Sequence, residues 1–316
     1  MAPTRTGAPP SFVHSPALAA NGAYTGVFVH AGDVAVGDAA VVYYPGTNQK
    51  HMIILVPGNP GILGFYGPFL DSLHNELGGQ VSILAHAHLG HTPDGPRTES
   101  FSLLAQVDAL IHVIDACKSE GYERITIIGH SVGTWIMVQA LKARLSSIDH
   151  MFLLFPTITR IVNTPNGDHL SWAFRPPMPR VISMLSYILR VLPLFVLALL
   201  FRSWPREQVL VLRSMLHSPS TIYHCLSMGH EEMLTIRELG DDADFLRQNT
   251  KKIWAYFAAK DDWVGENRAT VIETLGESRR VEICQLKMPH AFCLNHGEPM
   301  AARCALWYME CEGGNL

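Results

Sequence analysis

This sequence predicts a mostly parallel α/β sheet with helices on both faces and a helical insertion. Three observations carry that prediction. Short apolar or β-branched runs alternate with longer helical patterns between residues 39 and 156. Strands that alternate with helices build parallel sheets covered on both sides. The alternation stops between about 157 and 250, in a stretch rich in Pro, Arg and Leu, and resumes from 251. At 316 residues the chain also has room for one large domain carrying an insertion.

Taken in order, residues 1–22 are rich in Ala and Pro and read as a flexible leader. Residues 39–44 and 51–56 are apolar runs bounded by Pro-Gly turns, hence strands. Residues 65–77 have a helical pattern, 81–86 form a strand and 99–117 a helix. Residues 124–128 are a β-branched strand and 132–145 a helix, followed by a strand at 150–155 that Pro156 ends. Beyond the insertion, 252–258, 280–286 and 299–310 read strand, strand, helix. The expected organisation is a leader at 1–22, a core of 23–156 and 251–316, and a helical cap or lipid-surface insertion at 157–250.

Composition narrows the class of function. Charged residues make up 16% of the chain and hydrophobic residues 48%, and the mean hydropathy is positive. That is an enzyme-like composition shifted toward the apolar side. The 24 basic and 28 acidic residues leave a net charge of −4. With no basic stripe, nucleic acid is not an expected partner. Six cysteines are scattered without metal-type spacing. After Arg5 no apolar signal core follows, because Pro9, Pro10 and Pro16 interrupt it. The expectation is reduced thiols in a protein that is not secreted.

The chemistry starts at Gly129-His130-Ser131-Val132-Gly133, set between the Ile-rich run and the helix. Strand, Gly-x-Ser-x-Gly, helix is the context of a serine nucleophile elbow. The turn is too sharp for bulky neighbours, and it leaves the Ser131 Oγ standing alone above the sheet. It also points the Val132 N–H at the oxygen of a bound carbonyl. An ordinary strand-to-helix turn is the plain alternative.

Such a serine needs a base and an acid to orient that base. In α/β hydrolases these follow in the order Ser, Asp or Glu, His. Past the strand at 252–258 stand Asp261 and Asp262, and past the strand at 280–286 stands His290. Both loops leave the same sheet edge as the elbow. His296 lies at the entry to the last helix, one step too late. The second oxyanion donor belongs after the strand at 51–56, in Pro57-Gly58-Asn59-Pro60-Gly61. Pro60 has no N–H, so the Asn59 amide is the expected donor beside Val132. His86, His88 and His91 invite a zinc reading. Zinc requires further converging ligands, and a loop bordering the site is preferred. No metal and no cofactor are expected.

Pro57-Gly58-Asn59-Pro60-Gly61 followed by Phe65-Tyr66, Gly129-His130-Ser131-Val132-Gly133, Asp261-Asp262-Trp263 and Pro289-His290-Ala291-Phe292 together resemble the lipid droplet-associated hydrolase family. The likeness runs from about residue 50 to the end. It implies an α/β-hydrolase fold, a Ser/Asp/His triad, association with lipid droplets and a sterol esterase activity. Carried over, Ser131 is the nucleophile, Asp261 the acid and His290 the base. The family has Gly after its acid where this chain has Asp262. Alignment through Trp263 selects Asp261.

The insertion holds the most apolar stretch, residues 181–201, interrupted by Arg190 and Pro193. The uninterrupted run is about half the ~20 residues a spanning helix needs. Arginines flank it at 175, 180, 202, 206 and 213. Basic side chains around a short apolar segment suit a lipid interface. Arg190, Leu192, Leu194, Phe195, Leu197 and Phe201 are the expected lipid contacts. Burial in a cap over an acyl pocket is the alternative.

The favoured function is a serine ester hydrolase of neutral lipid esters, sterol esters included, at the droplet surface. Endoplasmic reticulum and cytosol are the other expected locations. The alternative is a non-enzymatic droplet coat or tether that keeps the fold. An epoxide hydrolase or dehalogenase fits less well, since those place Asp where Ser131 stands.

Overall fold

The computed structural model describes residues 7–30, 37–93 and 100–313. Nine strands form one sheet among these residues. They are β1 (Val13–Leu18), β2 (Tyr24–Phe28), β3 (Ala39–Tyr44), β4 (Asn48–Val56), β5 (Val81–His86), β6 (Arg124–His130), β7 (His150–Leu154), β8 (Ile253–Phe257) and β9 (Val281–Ile283). Their spatial order is β1-β2-β3-β5-β4-β6-β7-β8-β9. The pairings from β5 to β9 are parallel, and those of β1, β2 and β3 are antiparallel.

Period-two alternation explains how the centre is filled. In β4, Met52, Ile54 and Val56 enter one apolar cluster, while Ile53 and Leu55 enter the other. Each cluster is roofed by helices. Helices α1 (Gly67–Glu76) and α11 (Gly297–Cys311) cover one face. On the other lie α2 (Leu103–Ser119) and α3 (Val132–Arg144). With both faces covered, the central strands are buried along their length and read as continuous apolar runs.

Between β7 and β8 run α4 (Pro165–Phe174), α5 (Met178–Leu185), α6 (Leu194–Leu200), α7 (Arg206–Leu216), α8 (Pro219–Thr235) and α9 (Asp241–Gln248). The last of these is not cap. Ile236, Leu239 and Leu246 are buried in the core cluster with α3, and Asp242 binds Lys142 and Gln139 of α3. The return to the core therefore begins near 236, earlier than the expected 250. Helix α10 (Asn267–Leu275) crosses between the parallel strands β8 and β9.

The leader reading also needs correction. Residues 1–6 lie outside the described residues, but Val13–Leu18 pairs with β2 as an edge strand. Pro16 falls at the register shift between His14 and Ala17, where Ser15 has a φ of +49°. A bulge on an edge strand is a place where proline, lacking a ladder donor, is tolerated.

Candidate active site

Ser131 joins β6 to α3 with φ +52° and ψ −126°, a conformation L-residues rarely adopt. The surrounding backbone holds it there. Its N–H donates to the Leu154 carbonyl at 3.0 Å, and its carbonyl accepts the Thr134 N–H at 2.9 Å. The flanking glycines follow from close approach. A Cβ on Gly133 would lie 2.4 Å from the Val56 carbonyl oxygen, and one on Gly129 would lie 2.9 Å from that of Gly133. Nothing larger than hydrogen fits at either position.

The loops after β8 and β9 bring Asp261 and His290 to this turn. His290 Nε2 lies 2.9 Å from Ser131 Oγ, and Nδ1 lies 2.8 Å from Asp261 Oδ2. With the proton on Nδ1, the imidazole donates to Asp261 and accepts from the serine hydroxyl. Asp261 Oδ1 accepts the backbone N–H groups of Trp263 and Val264, at 2.9 and 3.1 Å. Burial alone would raise the Asp261 carboxyl. Its bond to His290 and the two amides outweigh burial and hold it below the usual carboxylate range. Asp262 is exposed, and its carbonyl accepts the Asn166 N–H.

The segment 57–61 faces Ser131 so closely that a Cβ on Gly58 would lie 2.9 Å from Ser131 Cβ. It is fastened from three sides. Gly58 N–H donates to Tyr66 Oη at 2.8 Å. His88 donates to the Pro57 carbonyl at 2.9 Å, and His91 to the Pro60 carbonyl at 2.6 Å. Two of the three histidines that invite a zinc reading, His88 and His91, thus anchor this loop, while His86 pairs with His30. The Asn59 side chain donates to Cys225 O at 2.8 Å and to Glu232 at 2.9 Å, both on α8. Among the described residues, the backbone N–H groups of Asn59 and Val132 meet no acceptor in the protein.

A further connection runs through the variable position of the elbow. Tyr66 Oη donates to His130 Nδ1 at 2.6 Å, and His130 Nε2 donates to the His290 carbonyl at 2.9 Å. Gly58, Tyr66, His130 and His290 are thereby chained across three loops. The sequence offered Tyr66 and His130 only as neighbours of motif residues.

Neutral buried imidazoles make acid stability testable. Burial, followed by the neighbouring charge of His290, holds His130 at about 3, and burial holds His88 at about 4, against 6.5 for a free imidazole. As pH falls through 6.5 the unfolded chain takes up protons that the folded chain refuses. The stability is whole above 6.5 and is lost on approach to 4. Glu232 acts the other way, because burial pushes it up to about 7, and it offsets part of the loss. Urea midpoints should therefore fall between pH 6.5 and 4. A flat profile there would contradict neutral His88 and His130.

Ser131, His290 and Asn59 open into a cavity of about 370 Å³. Its walls are mostly apolar, with Phe65 from the core and Phe174, Trp204, Leu212, Met215 and Met233 from the insertion. His296 precedes α11, and its N–H binds Phe292 O.

The expected lipid contacts separate into two groups. Phe195 is 72% exposed, but Leu197 is 3% exposed and belongs to the interior, so it is withdrawn from that set. Leu192, Leu194 and Phe201 are half-buried, and Phe201 packs on Trp204. Arg190 is exposed, lies over the Tyr187 ring and donates to His217 O. Met184, Leu185, Ile188, Val191, Leu199 and Leu200, not singled out from sequence, are each more than half exposed. No single helix among the described residues is long and apolar enough to cross a membrane; residues 178–191 and 194–200 form a pair bent by 113°.

The model of the lipid-droplet associated hydrolase family matches residues 49–293. The lipid droplet-associated hydrolase of Drosophila melanogaster is 28% identical over 278 residues, covering 80% of this chain and 87% of the fly protein. That of Mus musculus is 28% identical, covering 83% and 85%, and that of Homo sapiens 26%, covering 80% and 82%. Among solved structures, the haloalkane dehalogenase DatA of Agrobacterium tumefaciens C58 superposes with a TM-score of 0.69 at 12% identity, covering 92% of this chain and 97% of that one. An esterase of Thermogutta terrifontis gives a TM-score of 0.59 at 11% identity, covering 91% and 98%. At such identities these structures speak for the fold alone, which is that of the α/β hydrolases.

Proposed function

Given that the chain belongs to the lipid-droplet associated hydrolase family, we propose that it is a serine ester hydrolase of neutral lipid esters working at a lipid surface. The observation that carries this reading is His290, set between Ser131 Oγ at 2.9 Å and Asp261 at 2.8 Å. In the proposed cycle Ser131 Oγ attacks the ester carbonyl while His290 Nε2 takes its proton. The carbonyl oxygen, now negative, accepts the free N–H groups of Asn59 and Val132. His290 returns the proton to the departing alcohol. Water, deprotonated by His290, then cleaves the acyl-serine. Asp261 holds the imidazole in the required tautomer and stabilises its charged form. Sterol esters are the substrates that the family resemblance implies. A tether would need none of this geometry. A fluorophosphonate probe should label the wild type and spare Ser131→Ala; equal labelling would overturn the nucleophile assignment.

The surface half of the proposal rests on the exposed residues of α5, α6 and the turn between them. Monomeric proteins rarely expose apolar residues in such a group without a partner. Exposed Arg175, Arg180, Arg202 and Arg206 flank it, where their charged heads stay in water while the apolar side chains enter lipid. The bilayer-spanning alternative is unnecessary for a droplet, which offers one phospholipid layer over oil. Replacing Phe195, Leu199 and Leu200 by Ser should remove about 1.5–3 kcal/mol of insertion energy per fully buried side chain. Flotation with phospholipid-coated triolein should be lost, with hydrolysis of a water-soluble ester unchanged. Undiminished flotation would refute the surface assignment. Leu197→Ser should instead lower the melting temperature, since that side chain is already buried. The proposed division into an α/β-hydrolase core and a lipid-facing cap places that cap at about 157–235.

A further inference from the structure

Glu232 lies in the wall of the cavity, and the ester chemistry does not use it. It is 5% exposed, on α8, among Phe174, Met233 and Trp263. Its Oε1 accepts the Asn59 amide at 2.9 Å, and the second amide hydrogen of Asn59 is committed to Cys225 O at 2.8 Å. Asn59 therefore fixes the carboxyl by one oxygen and has no donor left for the other. Among the described residues only Oε1 of this carboxyl has a hydrogen-bond partner, and the residue, 5% exposed, lines the cavity, so Oε2 is left to pair with what enters it.

We infer that Glu232 selects esters that present a hydroxyl group inside this chamber, the esters of partly acylated polyols, over wholly apolar esters, the sterol esters implied by the family resemblance among them. The inference rests on reading Ser131 as the nucleophile of an ester hydrolase. A buried acceptor that loses water and gains no donor costs free energy, so an apolar ester filling the chamber binds at a disadvantage. A substrate hydroxyl removes that disadvantage. As a carboxylate, above about 7, to which burial raises this group, Oε2 accepts a substrate hydroxyl; once protonated it also donates, so the selection should be strongest above that pH.

The test compares 1-monooctanoylglycerol with ethyl octanoate, which share an acyl chain and differ in hydroxyls. Wild type should favour the glycerol ester in kcat/KM by about tenfold or more. Glu232→Leu should lower kcat/KM for that ester by about tenfold, through KM, and leave ethyl octanoate within about threefold. Glu232→Gln keeps the acceptor for Asn59 but turns an NH₂ donor to the cavity in place of Oε2; a substrate hydroxyl can still accept from it, so part of the preference should remain. Equal losses on both esters in Glu232→Leu, or no preference in wild type, would overturn the inference. In parallel, binding of 1-O-octylglycerol and of octyl methyl ether to Ser131→Ala protein reads selection without hydrolysis. Tighter binding of the hydroxylated ether, abolished by Glu232→Leu, would support Glu232 even if hydrolysis failed and the serine reading fell with it. Indifferent binding would overturn Glu232 even if hydrolysis proceeded. Should Glu232→Leu not fold, the comparison of the two ethers on protein carrying native Glu232 decides alone.

Discussion

Replacing Ser131 or His290 by alanine is expected to lower turnover of a soluble ester by roughly 10⁴ or more, with the fold intact. The two substitutions should cost about the same, because they act as one unit. Ser131 Oγ is a poor nucleophile until His290 Nε2, 2.9 Å away, removes its proton. Without the serine, His290 has nothing to activate but water. Neither change should damage folding. The Ser131 backbone is held by bonds to Leu154 O and Thr134 N, and alanine keeps both. His290 is further tied through its carbonyl to His130, which His290→Ala also preserves. The measurement is hydrolysis of p-nitrophenyl butyrate by purified variants, beside melting curves. Wild-type rates in Ser131→Ala would end the proposal that this serine is the nucleophile.

The parts of this site that sequence disclosed are those set by chain order. A strand, an elbow and two loops past later strand ends can be counted along a sequence, and counting reaches Ser131, His290 and the pair Asp261 and Asp262, between which the family resemblance selects Asp261. Tyr66, His130 and Glu232 could not be found that way. Tyr66 meets His130 across 64 residues and Asn59 meets Glu232 across 173, and no local pattern records either approach. The same limit appears in the fold. The runs of β3, β5 and β6 are buried and apolar, so composition alone marks them. Strand β2 is partly exposed and carries Gly26, and β1 carries Pro16, so neither has a clean strand pattern. Helix α10 has almost no amphipathic bias and no side-chain cap. Its existence was still implied, since parallel strands β8 and β9 require a crossover. In 181–201 nearly every position is apolar, so there is no periodicity to separate buried Leu197 from exposed Phe195.

Asp261→Asn is expected to lower turnover by roughly 10³–10⁴, whereas Asp262→Gly should stay within about tenfold of wild type. The local hydrogen bonds explain why the first change is so damaging. The Oδ1 of residue 261 accepts two backbone N–H groups, from Trp263 and Val264. An asparagine there must keep its carbonyl oxygen on those donors, which turns its NH₂ toward His290 Nδ1. The imidazole then has to accept at Nδ1 and carry its proton on Nε2. In that tautomer Nε2 cannot take the Ser131 proton, and the carboxylate that would stabilise the imidazolium is gone. Asp262 has no comparable role. Its side chain is exposed, and its one described backbone contact, the carbonyl accepting Asn166 N–H, survives in glycine. Glycine at 262 also restores the residue that the family resemblance places there. Both variants are to be assayed on one soluble ester, with melting temperatures to exclude unfolding. An inactive Asp262→Gly beside an active Asp261→Asn would shift the acid by one residue. Equal activity in both would mean that His290 works without a carboxylate partner, and the tautomer argument for Asp261 would be wrong.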